Sequence, residues 1–122
     1  IIAKGAFGSG SLLSTSGAGV RLIWYPKKGA FRAGEATGAE WNEVSIGLHS
    51  FACGFGSIAS GINAVALGYR TEATQDYGTA MGYESHAGEY STAMGYYSNA
   101  TGKYSVAMGQ GANASGFASV AF

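Results

Sequence analysis

The chain has 122 residues, enough for one domain of ordinary size, with 21 glycines, 47% hydrophobic residues and a formal net charge of zero. That hydrophobic share excludes a linker or a disordered tract, and charged residues at only 11% argue against nucleic acid, which needs clustered Lys and Arg. No apolar run is long enough to span a bilayer, and glycines recurring every seven residues rather than every three exclude collagen.

Residues 1–43 do not repeat and read as an N-terminal strand and hairpin cap; residues 44–122 form a repeat region. Residues 1–20 are rich in Gly and Ser with short apolar stretches. Arg21-Leu22-Ile23-Trp24-Tyr25 predicts a strand, Pro26-Lys27-Lys28-Gly29 a turn, and Ala30-Phe31-Arg32 the return strand of a hairpin. Trp24, Phe31 and Trp41 are placed to cover the open end of the repeats, which would otherwise expose a raw strand edge. Lys27, Lys28 and Arg32 read as a solubilising tip, with an anion site as the competing reading.

From Ala52 an alanine returns every seven residues: Ala59, Ala66, Ala73, Ala80, Ala87, then after one six-residue interval Ala93, Ala100, Ala107, Ala114 and Ala121. A glycine keeps the same beat, with Gln75 in one of its slots and Gly88 in the contracted one. A fixed period means stacked copies of one small unit. Seven residues are too few for a strand and a helix, and a glycine per period costs a helix about 1 kcal/mol each time. Alternate periods differ: one reads like Ser105-Val106-Ala107-Met108-Gly109, the other like Ser98-Asn99-Ala100-Thr101. The expected fold is therefore all-β, a solenoid of 14-residue coils with two short strands per coil.

Side chains alternate across a strand, which leaves two packings. Because alanine sits in both strands, turning both alanine rows inward gives a narrow roll and is the simpler solution. It leaves Glu72, His86, Asn99 and Asn113 facing water, and Val65, Leu67, Met81, Met94, Val106, Met108 and Val120 on an apolar outer ladder with Phe51, Cys53 and Phe122. A ladder of that extent exceeds the few hundred Å² of apolar patch usual on a monomer and calls for copies of itself. The competing packing puts the Val/Met row inside.

Ser105-Val106-Ala107-Met108-Gly109 and the run from Tyr90 through Thr92, Met94, Ser98 and Ala100 to Gly102 resemble the head repeat of trimeric autotransporter adhesins, the YadA-like head. The resemblance covers residues 44–122. It implies a left-handed parallel β-roll, three of which pack into a trimeric head; the same repeat occurs in trimeric fibre and surface proteins of bacteria and phages, some with an intramolecular chaperone downstream. It implies a non-enzymatic segment for display and attachment, located outside the cell, with a host-surface or matrix protein or glycan as partner and no membrane insertion by this segment. The Val/Met ladder would then be the trimer interface. The start and end of the chain read as cuts within something longer.

Little else suggests chemistry. One Asp and two His, His49 and His86, form no triad or carboxylate pair, so no catalytic residue, cofactor or metal is expected. Cys53 replaces an aliphatic residue in the ladder and reads as a small hydrophobe. Asn99-Ala100-Thr101 and Asn113-Ala114-Ser115 match the glycosylation pattern but are produced by the repeat itself. Tyr69, Tyr83 and Tyr96 follow the glycine of the first strand, and Tyr77, Tyr90 and Tyr104 precede it. They read as stacked corner ladders or, in the functional reading, as a ligand surface together with Lys27 and Lys28. An ice-binding solenoid is the other function class, disfavoured because Glu72, His86 and Asn99 interrupt any flat Thr array; a solenoid enzyme is disfavoured because its carboxylates are scattered.

Overall fold

A computed structural model describes residues 2–122; Ile1, at the head of the Gly/Ser-rich stretch, lies outside the described residues. The expected hairpin is present. β1 (Gly19–Tyr25) pairs antiparallel with β2 (Ala30–Ala36) across a 3-10 turn, Pro26–Lys28, closed by Gly29 at φ 60°. Proline fixes the entry to this turn, and glycine takes the left-handed exit without steric cost.

The rest is a parallel β-solenoid. The longer strands are β3 (Phe51–Phe55), β5 (Val65–Tyr69), β7 (Thr79–Tyr83), β9 (Thr92–Tyr96), β11 (Val106–Gln110) and β13 (Val120–Ala121). They alternate with two-residue strands, β4 (Ile58–Ala59), β6 (Glu72–Ala73), β8 (His86–Ala87), β10 (Asn99–Ala100) and β12 (Asn113–Ala114). Equivalent strands of successive coils pair in register, Ala52 with Ala66 and Ala66 with Ala80 on one side, Ala59 with Ala73 on the other. The hairpin joins the first set through β2 and β3, giving an eight-stranded sheet that faces a five-stranded one.

Both alanine rows point inward. Ala52, Ala59, Ala66, Ala73, Ala80, Ala93, Ala100 and Ala107 are completely shielded and form one continuous core, while the Val/Met row lies half-exposed outside. That decides between the two packings. The sheets approach so closely that a single methyl fills the gap, and interiors packed to crystal density accept no larger group without strain.

Two further inward columns escaped the sequence reading, which assigned only the alanines. Ser50, Ser91 and Ser105 occupy one, and Ser57, Thr71, Ser85 and Ser98 the other; all are buried. Their hydroxyls serve the backbone: Ser91 Oγ donates to Ala100 O (2.7 Å) or Gly88 O (2.9 Å), Ser98 Oγ to Gly109 O (2.7 Å), and Ser105 Oγ to Gly102 O (2.6 Å). A hydroxyl is small enough for the narrow roll and, once bonded, adds no desolvated polar group.

Both corners are left-handed. His49, Asn63, Tyr77, Tyr90 and Tyr104 have φ between 53° and 61°, and Arg70, Glu84 and Tyr97 occupy the other corner at 47° to 53°. Each costs roughly 1–2 kcal/mol of steric strain. The backbone offsets it with a hydrogen bond to the preceding coil, such as Tyr77 N–H to Ile62 O and Glu84 N–H to Tyr69 O, both 2.8 Å.

The cap differs from expectation in two respects. Of the three aromatics, only Trp41 plugs the end: it is fully buried, and its Nε1–H donates to Ser57 O (2.9 Å), covering the edge of β4. Trp24 and Phe31 instead join the outward face, Phe31 stacking on Phe51 at 5.1 Å. Arg32 is no solubilising tip. It points into the mouth of the roll, fully buried, donating to Phe31 O, Ser50 O, Ser50 Oγ and Ala59 O, and burial pushes its pKa down to about 10. Strand alternation sends residue 32 to the alanine side, which the charge of the residue does not reveal.

Candidate functional site

Three surfaces of the roll have distinct chemistry. The first is the outer face of the eight-stranded sheet. Register aligns Trp24, Phe31, Phe51, Val65, Thr79, Thr92, Val106 and Val120 in one row, and Leu22, Ala33, Cys53, Leu67, Met81, Met94 and Met108 in the next. The apolar ladder thus runs past the repeats onto the hairpin, where Val20, Leu22 and Trp24 are exposed. The free thiol of Cys53 sits in this face.

The second surface comprises the tyrosine ladders, which the structure separates. Tyr69, Tyr83 and Tyr96 continue the stack begun by Phe55, with ring centroids 4.8–5.0 Å apart, at the C-terminal ends of the sheet strands. Tyr77, Tyr90 and Tyr104 stack at 4.7–5.1 Å on the opposite corner. Both spacings equal the distance between neighbouring strands, so each ring reports the coil that carries it. Tyr97 stands edge-on to Tyr83 and Tyr96, and the Glu84 carboxylate beside its hydroxyl pushes its pKa up to about 12. The lysines of the hairpin turn are engaged within the chain: Lys28 Nζ donates to Glu43 O (2.5 Å) and Ile46 O (2.8 Å), and Lys27 Nζ reaches Gly10 O (3.3 Å).

The third surface is the polar face of the five-stranded sheet. Here the six-residue interval has a structural consequence the sequence did not announce. Gly88 N–H donates to Ala100 O, as Gly61 N–H does to Ala73 O and Gly102 N–H to Ala114 O. Gly88 therefore holds the ordinary glycine slot, and the residue missing from this coil is the counterpart of Ser60, Thr74, Thr101 and Ser115. Its neighbours compensate. Gly78 stands where other coils have Ser or Ala, because a methyl there would lie 2.9 Å from Gly88 O. Gln75 carries a side chain where the other coils have glycine. The gap opens as a cavity of ≈ 460 Å³ lined by Glu72, Thr74, Gln75, His86, Glu89, Thr101 and Lys103.

These features define a class: a β-solenoid repeat protein whose two sheets present an apolar and a polar face. Residues 59–85 and 87–112 match the family model of the YadA head domain repeat in two copies. This part of the chain is thus similar to YadA head repeats, and the coils flanking it keep the same strand register from Phe51 to Ala121. No curated protein and no solved structure matches the chain.

Proposed function

We propose that this chain is a segment of a homotrimeric, non-enzymatic head, displayed outside the cell on a surface or fibre and attaching it to a host, cell or matrix surface. The observation that carries the reading is the apolar outer face of the eight-stranded sheet. Its rows centred on Val65, Leu67, Met81, Met94, Val106, Met108 and Val120 are too extensive to stay wet on a monomer, and a cyclic arrangement of three copies covers them by symmetry. Trp24 and Leu22 extend the same contact onto the hairpin. Packing three such faces leaves the polar sheets outward, so each assembly carries three copies of any weak contact and gains avidity.

Attachment is tested by bead adhesion to cells or matrix-coated surfaces, comparing the native protein with a Met94→Lys variant. Adhesion should fall sharply with loss of the assembly; equal adhesion by a monomeric variant would refute the multivalent mechanism. Cys53 supplies a check on the interface itself. Its thiol should alkylate slowly in the native assembly and quickly in the variant.

A further inference from the structure

We propose that the cavity at the contracted coil is a binding site for a neutral saccharide of one or two rings. It deepens the attachment reading by naming a ligand class. It lies within a single chain, on the sheet opposite the apolar face, and does not depend on the oligomer.

Main-chain geometry makes the site. Deleting one residue between Ala87 and Gly88 removes a side chain from the Ser60–Thr74–Thr101–Ser115 row, and the neighbouring coils, held by their own ladders, do not close over the gap. The resulting ≈ 460 Å³ falls within the range of about 300–1,000 Å³ typical of small-molecule sites.

The lining selects the ligand. Two carboxylates are present, and each already has a partner: Glu72 Oε2 lies 3.4 Å from His86 Nε2, and Lys103 Nζ donates to Glu89 Oε1 at 3.0 Å. The carboxylates disfavour an anion and Lys103 beside them disfavours a cation, which leaves a neutral guest. Among the described residues no three His, Cys, Asp or Glu side chains gather as ligands for a metal ion. What remains is a dense mixture of acceptors on Glu72 and Glu89, donors on Lys103 and Gln75, and Thr74 and Thr101 hydroxyls that do both. Vicinal hydroxyls of a sugar ring, each a donor and an acceptor, satisfy such an array. Lys103 also bridges to an aromatic flank: its Nζ lies 5.4 Å from the ring centroids of both Tyr90 and Tyr104, which are partly exposed.

The test is saturation-transfer NMR on the full chain, with glucose, galactose, N-acetylglucosamine and lactose as probes and N-acetylneuraminic acid as an anionic comparison. At least one neutral sugar should bind saturably and shift the amide resonances of Thr74, Gly88 and Thr101. Inserting Thr between Ala87 and Gly88 together with Gln75→Gly restores the regular coil and fills the cavity, and should weaken binding by at least about tenfold while leaving the unfolding midpoint unchanged or higher. Thr101→Tyr, an exposed substitution that fills the gap from its rim, should do the same and stands in if the insertion does not fold. Absence of binding by all four neutral sugars, binding confined to the anionic sugar, or undiminished binding in a folded filled variant overturns the proposal. Failure here with a three-chain mass intact would leave the trimeric head standing, and the converse result would leave the saccharide site standing.

Discussion

Alanine at Gly82 and at Gly56 should separate two costs that the solenoid imposes on its glycines. Both residues have positive φ, 108° and 61°, in the region that disfavours any side chain. Their surroundings differ. A methyl on Gly82 would fall well inside van der Waals contact of the Gly95 carbonyl oxygen in the next coil, with Gly95 N at 3.1 Å; on Gly56 the nearest atom, Arg70 Cγ, lies at an ordinary contact distance of 3.4 Å. Backbone strain alone costs about 1–3 kcal/mol, and this is the full expected loss for Gly56→Ala. At Gly82 the coils must also part, and each ladder hydrogen bond lost adds about 1 kcal/mol. Gly82→Ala should therefore destabilise by about 3–5 kcal/mol, clearly more than its partner. Denaturant unfolding of both variants at one fixed protein concentration measures the difference, since the proposed assembly would make stability concentration-dependent. Equal losses would refute the claim that close stacking of coils, and not φ alone, demands glycine.

Other expectations follow from the interior and the corners. Ser98→Ala should cost about 1 kcal/mol in the same assay, because it removes the bond to Gly109 O while the column tolerates alanine at Ala112. Arg32→Met should cost about 1–3 kcal/mol by removing the guanidinium bonds to Ser50 O and Ala59 O, which keep only the backbone donors Phe31 N–H and Gly47 N–H, and a neutral result would show that those backbone bonds suffice. The folded pKa of Tyr97, about 12 against an ordinary 10, means the fold keeps a proton that the unfolded chain loses. That contribution is complete below pH 10 and disappears as pH climbs to about 12. Unfolding midpoints across this window should fall less steeply in Tyr97→Phe, and the late-titrating fraction of tyrosinate absorbance, to which Tyr25 and Tyr90 also contribute, should shrink in that variant.

Much of this was legible because the alanine period and strand alternation are local properties. Period-two alternation around Ala66 and Ala80 places Val65, Leu67 and Met81 outside whenever the alanines are inside, and the hairpin follows from Pro26 and Gly29. What was missed depends on neighbours in other coils. Nothing about Tyr77, Arg70 or Glu84 marks a left-handed residue, since the inter-coil hydrogen bond that sustains it is accepted by a residue fifteen positions earlier. The serine columns look polar in sequence, and only the carbonyls opposite them make burial tolerable. Arg32 and Trp24 exchanged their expected roles because register with β3 decides which face each meets. The cavity was visible only as a missing residue; its compensations at Gln75 and Gly78 read as irregularities until the coils are stacked.

Native molar mass, by light scattering over a range of concentrations, tests the central claim that the outward Val/Met rows are covered by two further copies of the chain. A stable mass of three chains of 12.4 kDa each is expected, falling to one chain in Met94→Lys with the β-rich spectrum retained. A native protein that stays at 12.4 kDa across the whole range would contradict it.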